Sequence, residues 1–133
     1  MIALDANVLV RFLVEDDKRQ AAQAAALIEG ASSEDPLWVS DLVLCETVWV
    51  LTTSYRFPRA EVVGALGRVL QSRQFLFPSP DVVANALEAF ARGGGDFADY
   101  VIRETARAAG CKSVATFDGA LLKEPGFALP LRP

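Results

Sequence analysis

The chain has 133 residues, of which 52% are hydrophobic, and its 17 acidic side chains outnumber 13 basic ones for a net charge of −4. That length supports one domain, residues 1–133, with a substantial core, and the hydrophobic fraction argues against disorder. No histidine is present, which excludes the usual general base, the Ser-His and Cys-His nucleophile systems and nearly all zinc sites.

Any chemistry must therefore rest on carboxylates, hydroxyls or lysine, and any metal should be a hard, oxygen-preferring ion. A pI near 4.8 counts against a general nucleic-acid-binding surface, but leaves room for a local basic rim around an acidic, metal-filled pocket. No apolar run is long enough to span a bilayer, and the start of the chain lacks a basic region and a secretory cleavage pattern. The expected location is cytoplasmic, with no membrane association. Cys45 and Cys111 lie far apart among apolar residues and read as small buried hydrophobes rather than a disulfide or metal pair.

In chain order, residues 2–4 read as a short buried strand and 7–14 as a helix. The stretch "EDDKRQAAQAAALIEGA" is an alanine-rich helix with acids at its start and Gly30 near its end. "PLWVS" is a second strand. Ser40 or Asp41 then caps "DLVLCETVWVLTTSY", a helix apolar on most sides. "PRAEVVGALGRVLQS" is an amphipathic helix with Pro58 suited to its first turn. A third strand, "FLF", precedes the helix "PDVVANALEAFAR" and a triple-glycine loop at residues 93–95. "DFADYVIRETARAAG" is a helix stopped by Gly110. "KSVATF" is a fourth strand, "DGALL" a short helix and "FALPL" a possible last strand. Short apolar strands alternating with helices predict a parallel α/β sheet covered on both faces, where ligands bind beyond the carboxyl ends of the strands.

Acids occupy several of those positions. Asp5 follows the first strand and Asp118 the fourth. Asp5 could instead end its strand in a turn or stand in solvent at an edge, with Asn7 capping the next helix. Glu46 has Leu42, Val43, Trp49 and Val50 as its helical neighbours, so its face should be shut off from open solvent unless the helix is incompletely covered. Asp96 and Asp99 open a helix at the spacing of a capping box. Asp96 could be purely a cap; Asp99 is the stronger site candidate. Together Asp5, Glu46, Asp99 and Asp118 can converge above one sheet edge, where a divalent cation would relieve their repulsion.

The segments "LDANVLVRFL", "LCETVWVL", "DFADYVI" and "ATFD" resemble, in this order, the signature segments of PIN-domain nucleases, most closely the VapC-like toxins of type II toxin–antitoxin pairs. The resemblance spans essentially the whole chain. It implies a three-layer α/β/α PIN-like fold with a five-stranded parallel sheet. It also implies a Mg²⁺- or Mn²⁺-dependent endoribonuclease whose catalytic, metal-binding quartet falls on Asp5, Glu46, Asp99 and Asp118. Accessory positions fall on Asn7, Asp96 and Thr116. Ala6 stands where the family often has threonine or serine. In that reading one or two ions activate a water and stabilise charge on the scissile phosphate. The implied partners are an RNA substrate, an antitoxin that occludes the acidic pocket and a second copy in a homodimer.

Arg11, one turn beyond Asn7, could contact RNA phosphate or a partner, or be a lone surface arginine. Trp38, Trp49 and the phenylalanines read as core, and residues 15–17 as a solvated helix start. Three other functions compete: a housekeeping RNA-processing nuclease without an antitoxin, an acid-pocket phosphatase or phosphoacceptor, and a non-catalytic module capturing a partner's arginine. The second is disfavoured by Asn7, where a haloacid-dehalogenase-type site wants aspartate, and by the absence of lysine between Asp118 and Lys123.

Overall fold

Asp5 makes the first structural decision. Its Oδ1 accepts the Ala6 N–H at 2.7 Å, which satisfies an otherwise orphaned donor and starts helix α1 directly after the first strand. The cap is thus Asp5, not Asn7. In the computed structural model, residues 1–132 are described. The elements run β1 Ile2–Ala3, α1 Ala6–Leu13, α2 Lys18–Glu29, β2 Leu37–Trp38, α3 Asp41–Thr53, α4 Arg59–Gln71 and β3 Phe75–Leu76. They continue with α5 Pro80–Arg92, α6 Phe97–Ala108, β4 Val114–Ala115, a 3-10 helix Leu121–Lys123 and β5 Phe127–Ala128. Every element was expected, with strands shorter by one to four residues and the last short helix shifted C-terminally.

The chain packs as two compact units, one ending at Pro80 and the other beginning at Asp81. In the first, three parallel strands lie in the order β1-β2-β3. Ile2 pairs with Leu37, which pairs in turn with Phe75. Helix α1 packs on α2 and α3, and α3 on α4. Leu9, Leu44, Leu51, Val62 and Leu66 are completely buried there. Ser40 caps α3 by accepting the Val43 N–H at 3.1 Å.

The second unit pairs β4 with β5 in parallel, with Val114 opposite Phe127. Its core holds Val83, Phe90, Phe97 and Tyr100. The Phe90 and Phe97 rings meet edge to face, 6.0 Å apart. Gly110 ends α6 with φ of +87°, which lets the Cys111 N–H turn back to the Ala106 carbonyl at 2.9 Å.

The parallel α/β expectation holds, but the strands form a three-stranded and a two-stranded sheet, not one five-stranded sheet. Each strand contributes only two residues, so each ladder is short and closes within its own unit.

Three burial expectations are corrected. Cys111 is exposed and Cys45 half-buried, although both thiols are free as expected. Trp49 is 64% exposed and Phe117 86% exposed. Glu46 is exposed as well, because the neighbours expected to cover it, Leu42 and Trp49, themselves face outward. No helix among the described residues is long and apolar enough to cross a membrane.

Candidate active site

In the first unit, the N-terminal turn of α1 and the middle of α3 line one cavity of about 530 Å³. Asp5, Asn7 and Arg11 come from the α1 side, and Glu46, Trp49 and Tyr55 from the α3 side. Asp5 commits one oxygen to capping α1, while Glu46 makes no hydrogen bond or ion pair among the described residues. Two carboxylates far apart in sequence thus share one wall-to-wall space.

Arg11 is not a lone surface arginine. Its Nε donates to Gln20 at 2.7 Å, and one terminal nitrogen donates to the Tyr55 hydroxyl at 2.9 Å and to Asp16 at 3.2 Å. Tyr55 donates in turn to Asp16 at 2.7 Å. The Tyr55 hydroxyl and then the Arg11 charge hold the Asp16 carboxyl below the usual carboxylate range, against its partial desolvation. The same hydroxyl, with Asp16, raises the Arg11 guanidinium further. Asp17 caps α2 through the Gln20 N–H at 3.0 Å. Glu15 and Asp16 are exposed, in keeping with the expected solvated stretch at 15–17, and Asp16 in addition fastens Arg11 and Tyr55, two residues of the cavity wall. Tyr55 and Trp49 were not anticipated as site residues; their one sequence signal is the helical spacing of Trp49 from Glu46.

In the second unit, Asp96 is the N-cap of α6 and forms a capping box with Asp99, whose Oδ2 accepts the Asp96 N–H at 3.0 Å. Burial pushes the Asp99 carboxyl above its usual range. The Asp96 N–H works against that rise, and the charges of Asp96, Asp118 and Glu124 add to it. Asp118 lies in the turn after β4. Its Oδ1 accepts the Ala120 N–H at 2.9 Å and the Leu121 N–H at 3.4 Å, so it caps the 3-10 helix. Thr116 supports Asp118 through the backbone, its hydroxyl accepting the Asp118 N–H at 3.0 Å. Glu124 was missed as a neighbour of Asp99, since nothing in "LKEPG" marks it.

Among the described residues, no group of three or more His, Cys, Asp or Glu side chains is arranged to hold a metal ion. The donors nevertheless suit a hard divalent ion. They are all carboxylate oxygens, Asp5 and Glu46 share one cavity, and Asp99 carries a like-charge burden from Asp118. Magnesium characteristically binds one or two protein carboxylates and keeps several waters, so a pair suffices.

A family model described as PIN domain matches residues 2–126. The chain is 24% identical over 127 residues to the VapC ribonuclease of Aquifex aeolicus (strain VF5), covering 96% of this chain and 93% of that protein. Among solved structures, Mycobacterium tuberculosis VapC20, a sarcin-ricin loop cleaving toxin, matches over 100% of both chains at 21% identity, with a TM-score of 0.44. With a family model running over nearly the whole sequence, the chain belongs to the PIN domain family.

Proposed function

We propose that this chain, working as a single PIN domain, is a Mg²⁺- or Mn²⁺-dependent endoribonuclease and the toxin of a type II toxin–antitoxin pair. The observation that carries this reading is the shared cavity of Asp5 and Glu46. A strand end and a distant helix supply these two acids in a chain with no histidine to perform hydrolysis by other means. Similarity to a VapC ribonuclease over 96% of the chain supports the choice of RNA as substrate.

Asp5, Glu46, Asp99 and Asp118 are the proposed cation ligands. When bound, the ion supplies positive charge to the scissile phosphate and lowers the pKa of an attacking water. Asp5 can offer the oxygen that does not cap α1, and Asp118 the one that does not cap the 3-10 helix. Glu46, without a competing partner among the described residues, is available to bind or to orient a water. Asn7 lines the same cavity, Asp96 fixes Asp99 through the capping box, and Thr116 holds the Asp118 backbone. Arg11 and Tyr55 line the same cavity and are joined to each other and to Asp16.

The proposed antitoxin covers the acids with a basic side chain, for which arginine is best shaped because its planar fork matches paired carboxylates. The four segments that resemble VapC-like toxins support this partner, the cytoplasmic location and the homodimer. The test is cleavage of RNA by purified protein with Mn²⁺ and with EDTA, combined with co-purification from the native operon. Cleavage confined to the Mn²⁺ arm and a small bound partner are expected. A folded protein inert on RNA with Mn²⁺ overturns the nuclease, while cleavage with no partner at all overturns the toxin.

A further inference from the structure

We propose that Glu124, gripped by Tyr100, is a positioning residue that sets Asp118 against Asp99. This rests on the nuclease reading above, in which those two acids bind the cation. Tyr100 directly follows Asp99 on α6 and is only 1% exposed. Its hydroxyl donates to Glu124 Oε1 at 2.6 Å and accepts the Gly95 N–H at 3.0 Å.

Glu124 and Asp118 are the two ends of one small rigid piece. Asp118 opens the 3-10 helix with its side chain on Ala120 and Leu121, and its carbonyl accepts the Leu122 N–H at 3.1 Å. Glu124 closes it, donating its N–H to the Leu121 carbonyl at 2.9 Å. Tyr100 holds the far end of this arm from the residue next to Asp99, so the arm's orientation decides where the Asp118 carboxylate stands.

Two further features belong to the clasp. A Cβ at Gly93 would collide with the Tyr100 hydroxyl and with Glu124 Oε1. At Gly95 it would come within 3.0 Å of Leu121 Cδ2 and 3.1 Å of the Tyr100 hydroxyl. The triple-glycine loop therefore closes over the clasp at a distance only glycine permits. In addition, Glu124 Oε2 is buried without a hydrogen-bond partner among the described residues. An unsatisfied buried carboxylate oxygen near other acids opposes stability. That is understandable where the group serves a site and odd where it serves only the fold.

The experiment compares wild type with Glu124→Ala, Glu124→Gln and Tyr100→Phe in three measurements. Amide exchange of the metal-free protein at Ala120 and Leu121 reports the arm. The Mn²⁺ concentration at half-maximal thermal shift reports the site, and RNA cleavage reports function. Glu124→Ala and Tyr100→Phe should each speed exchange at both amides and raise the Mn²⁺ half-saturation by roughly 10–100-fold, the usual effect of removing a group that orients a ligand. Glu124→Gln keeps an acceptor for the Tyr100 hydroxyl and should restore most of both. The Tyr100→Phe, Glu124→Ala double variant should be no worse than the worse single one, since both break the same bond.

Unchanged exchange and Mn²⁺ half-saturation in Tyr100→Phe overturn the proposal, even if Glu124→Ala fails to fold. Glu124→Gln as impaired as Glu124→Ala also overturns it, because charge and not position then matters. A wild type with no Mn²⁺ shift overturns it outright. A wild type that binds Mn²⁺, is weakened as described by the variants, yet cleaves no RNA upholds the arm and overturns the nuclease.

Discussion

Arg103 and Glu104, neighbours on α6, form an ion pair at 2.9 Å with side chains only 11% and 6% exposed. Adjacent helical residues do not ordinarily face each other. Arg103 manages it by lying flat, its guanidinium 5.1 Å from the Tyr100 ring centre and 5.9 Å from that of Phe127. It also donates to the Pro125 carbonyl at 3.2 Å, and Arg107 approaches Glu104 from the next turn at 3.1 Å. Glu104 is thus the anion on which two arginines depend. Glu104→Ala should cost about 3–5 kcal/mol, because it leaves a buried guanidinium uncompensated. Urea unfolding should show the loss, with a melting temperature lower by roughly 10 °C or more. A cost within experimental error would show that Arg103 is adequately held by Pro125 and the two rings alone.

The Arg11–Tyr55–Asp16 fastening makes a pH prediction. The folded-state pKa of Asp16 is depressed, first by the Tyr55 hydroxyl and then by Arg11. Its contribution is therefore present above the unfolded value of about 3.9 and disappears as pH falls through the lower folded value. Tyr55→Phe should lower the urea midpoint at pH 7, by an amount that shrinks as the pH falls below about 4. A gap of constant size would mean that Tyr55 acts through packing rather than through Asp16.

The thiols should separate cleanly. Burial, aided by the nearby Asp41 carboxylate, pushes the Cys45 thiol up to about 11, so almost no thiolate exists at neutral pH. Cys111 is exposed. A disulfide reagent at pH 8 should label one thiol rapidly and the other only slowly, and Cys111→Ser should abolish the rapid phase. Two rapid phases would place Cys45 in solvent.

Asp5→Asn tests the cation directly, because asparagine is as good an N-cap as aspartate and α1 should survive. At about 100 times its dissociation constant, Mn²⁺ should stabilise wild type by roughly 2.7 kcal/mol, which is several degrees. Asp5→Asn should lose most of that shift. Equal shifts in both proteins would return Asp5 to capping alone.

Asp99→Asn should keep the fold, since an amide oxygen can still accept the Asp96 N–H, and should reduce RNA cleavage by more than the roughly 10–100-fold typical of a supporting residue. The folded-state pKa of Asp99 is raised, chiefly by burial. Ionising it therefore opposes folding increasingly as pH climbs from the unfolded value through the folded one. Metal-free Asp99→Asn should accordingly be more stable than wild type at pH 7 and no more stable at pH 3. Circular dichroism melts with EDTA and an RNA cleavage assay check both halves.

Local chemistry was legible in the sequence to the extent that it involves residues within a turn of each other. The Asp96–Asp99 capping box, the Ser40 cap, the Gly110 stop and the alternation of short strands with helices all depend on neighbours whose geometry a helix or strand dictates. Each of the four acidic segments is a local pattern too, and their order along the chain points to the family. Exposure was not legible in this way. Trp49 reads as core and Leu42 as cover for Glu46 because both are apolar, yet both face outward, and with them Glu46. Whether an apolar helical face is covered depends on which distant segment packs there, and hydrophobicity alone does not encode that.

The same division holds for the site. The sequence by itself determined which carboxylates are available, that no histidine competes with them, and that Asp96 and Asp99 stand at capping-box spacing. Only the tertiary structure decided that Asp5 and Glu46 share a cavity, that Arg11 is bound to Tyr55 and Asp16, and that Tyr100 reaches Glu124 under a glycine loop. Asp5 and Glu46, Arg11 and Tyr55, and Tyr100 and Glu124 all stand many positions apart. A hydrogen bond across such a gap forms only after packing has fixed both backbones, so the pattern along the chain carries no trace of it.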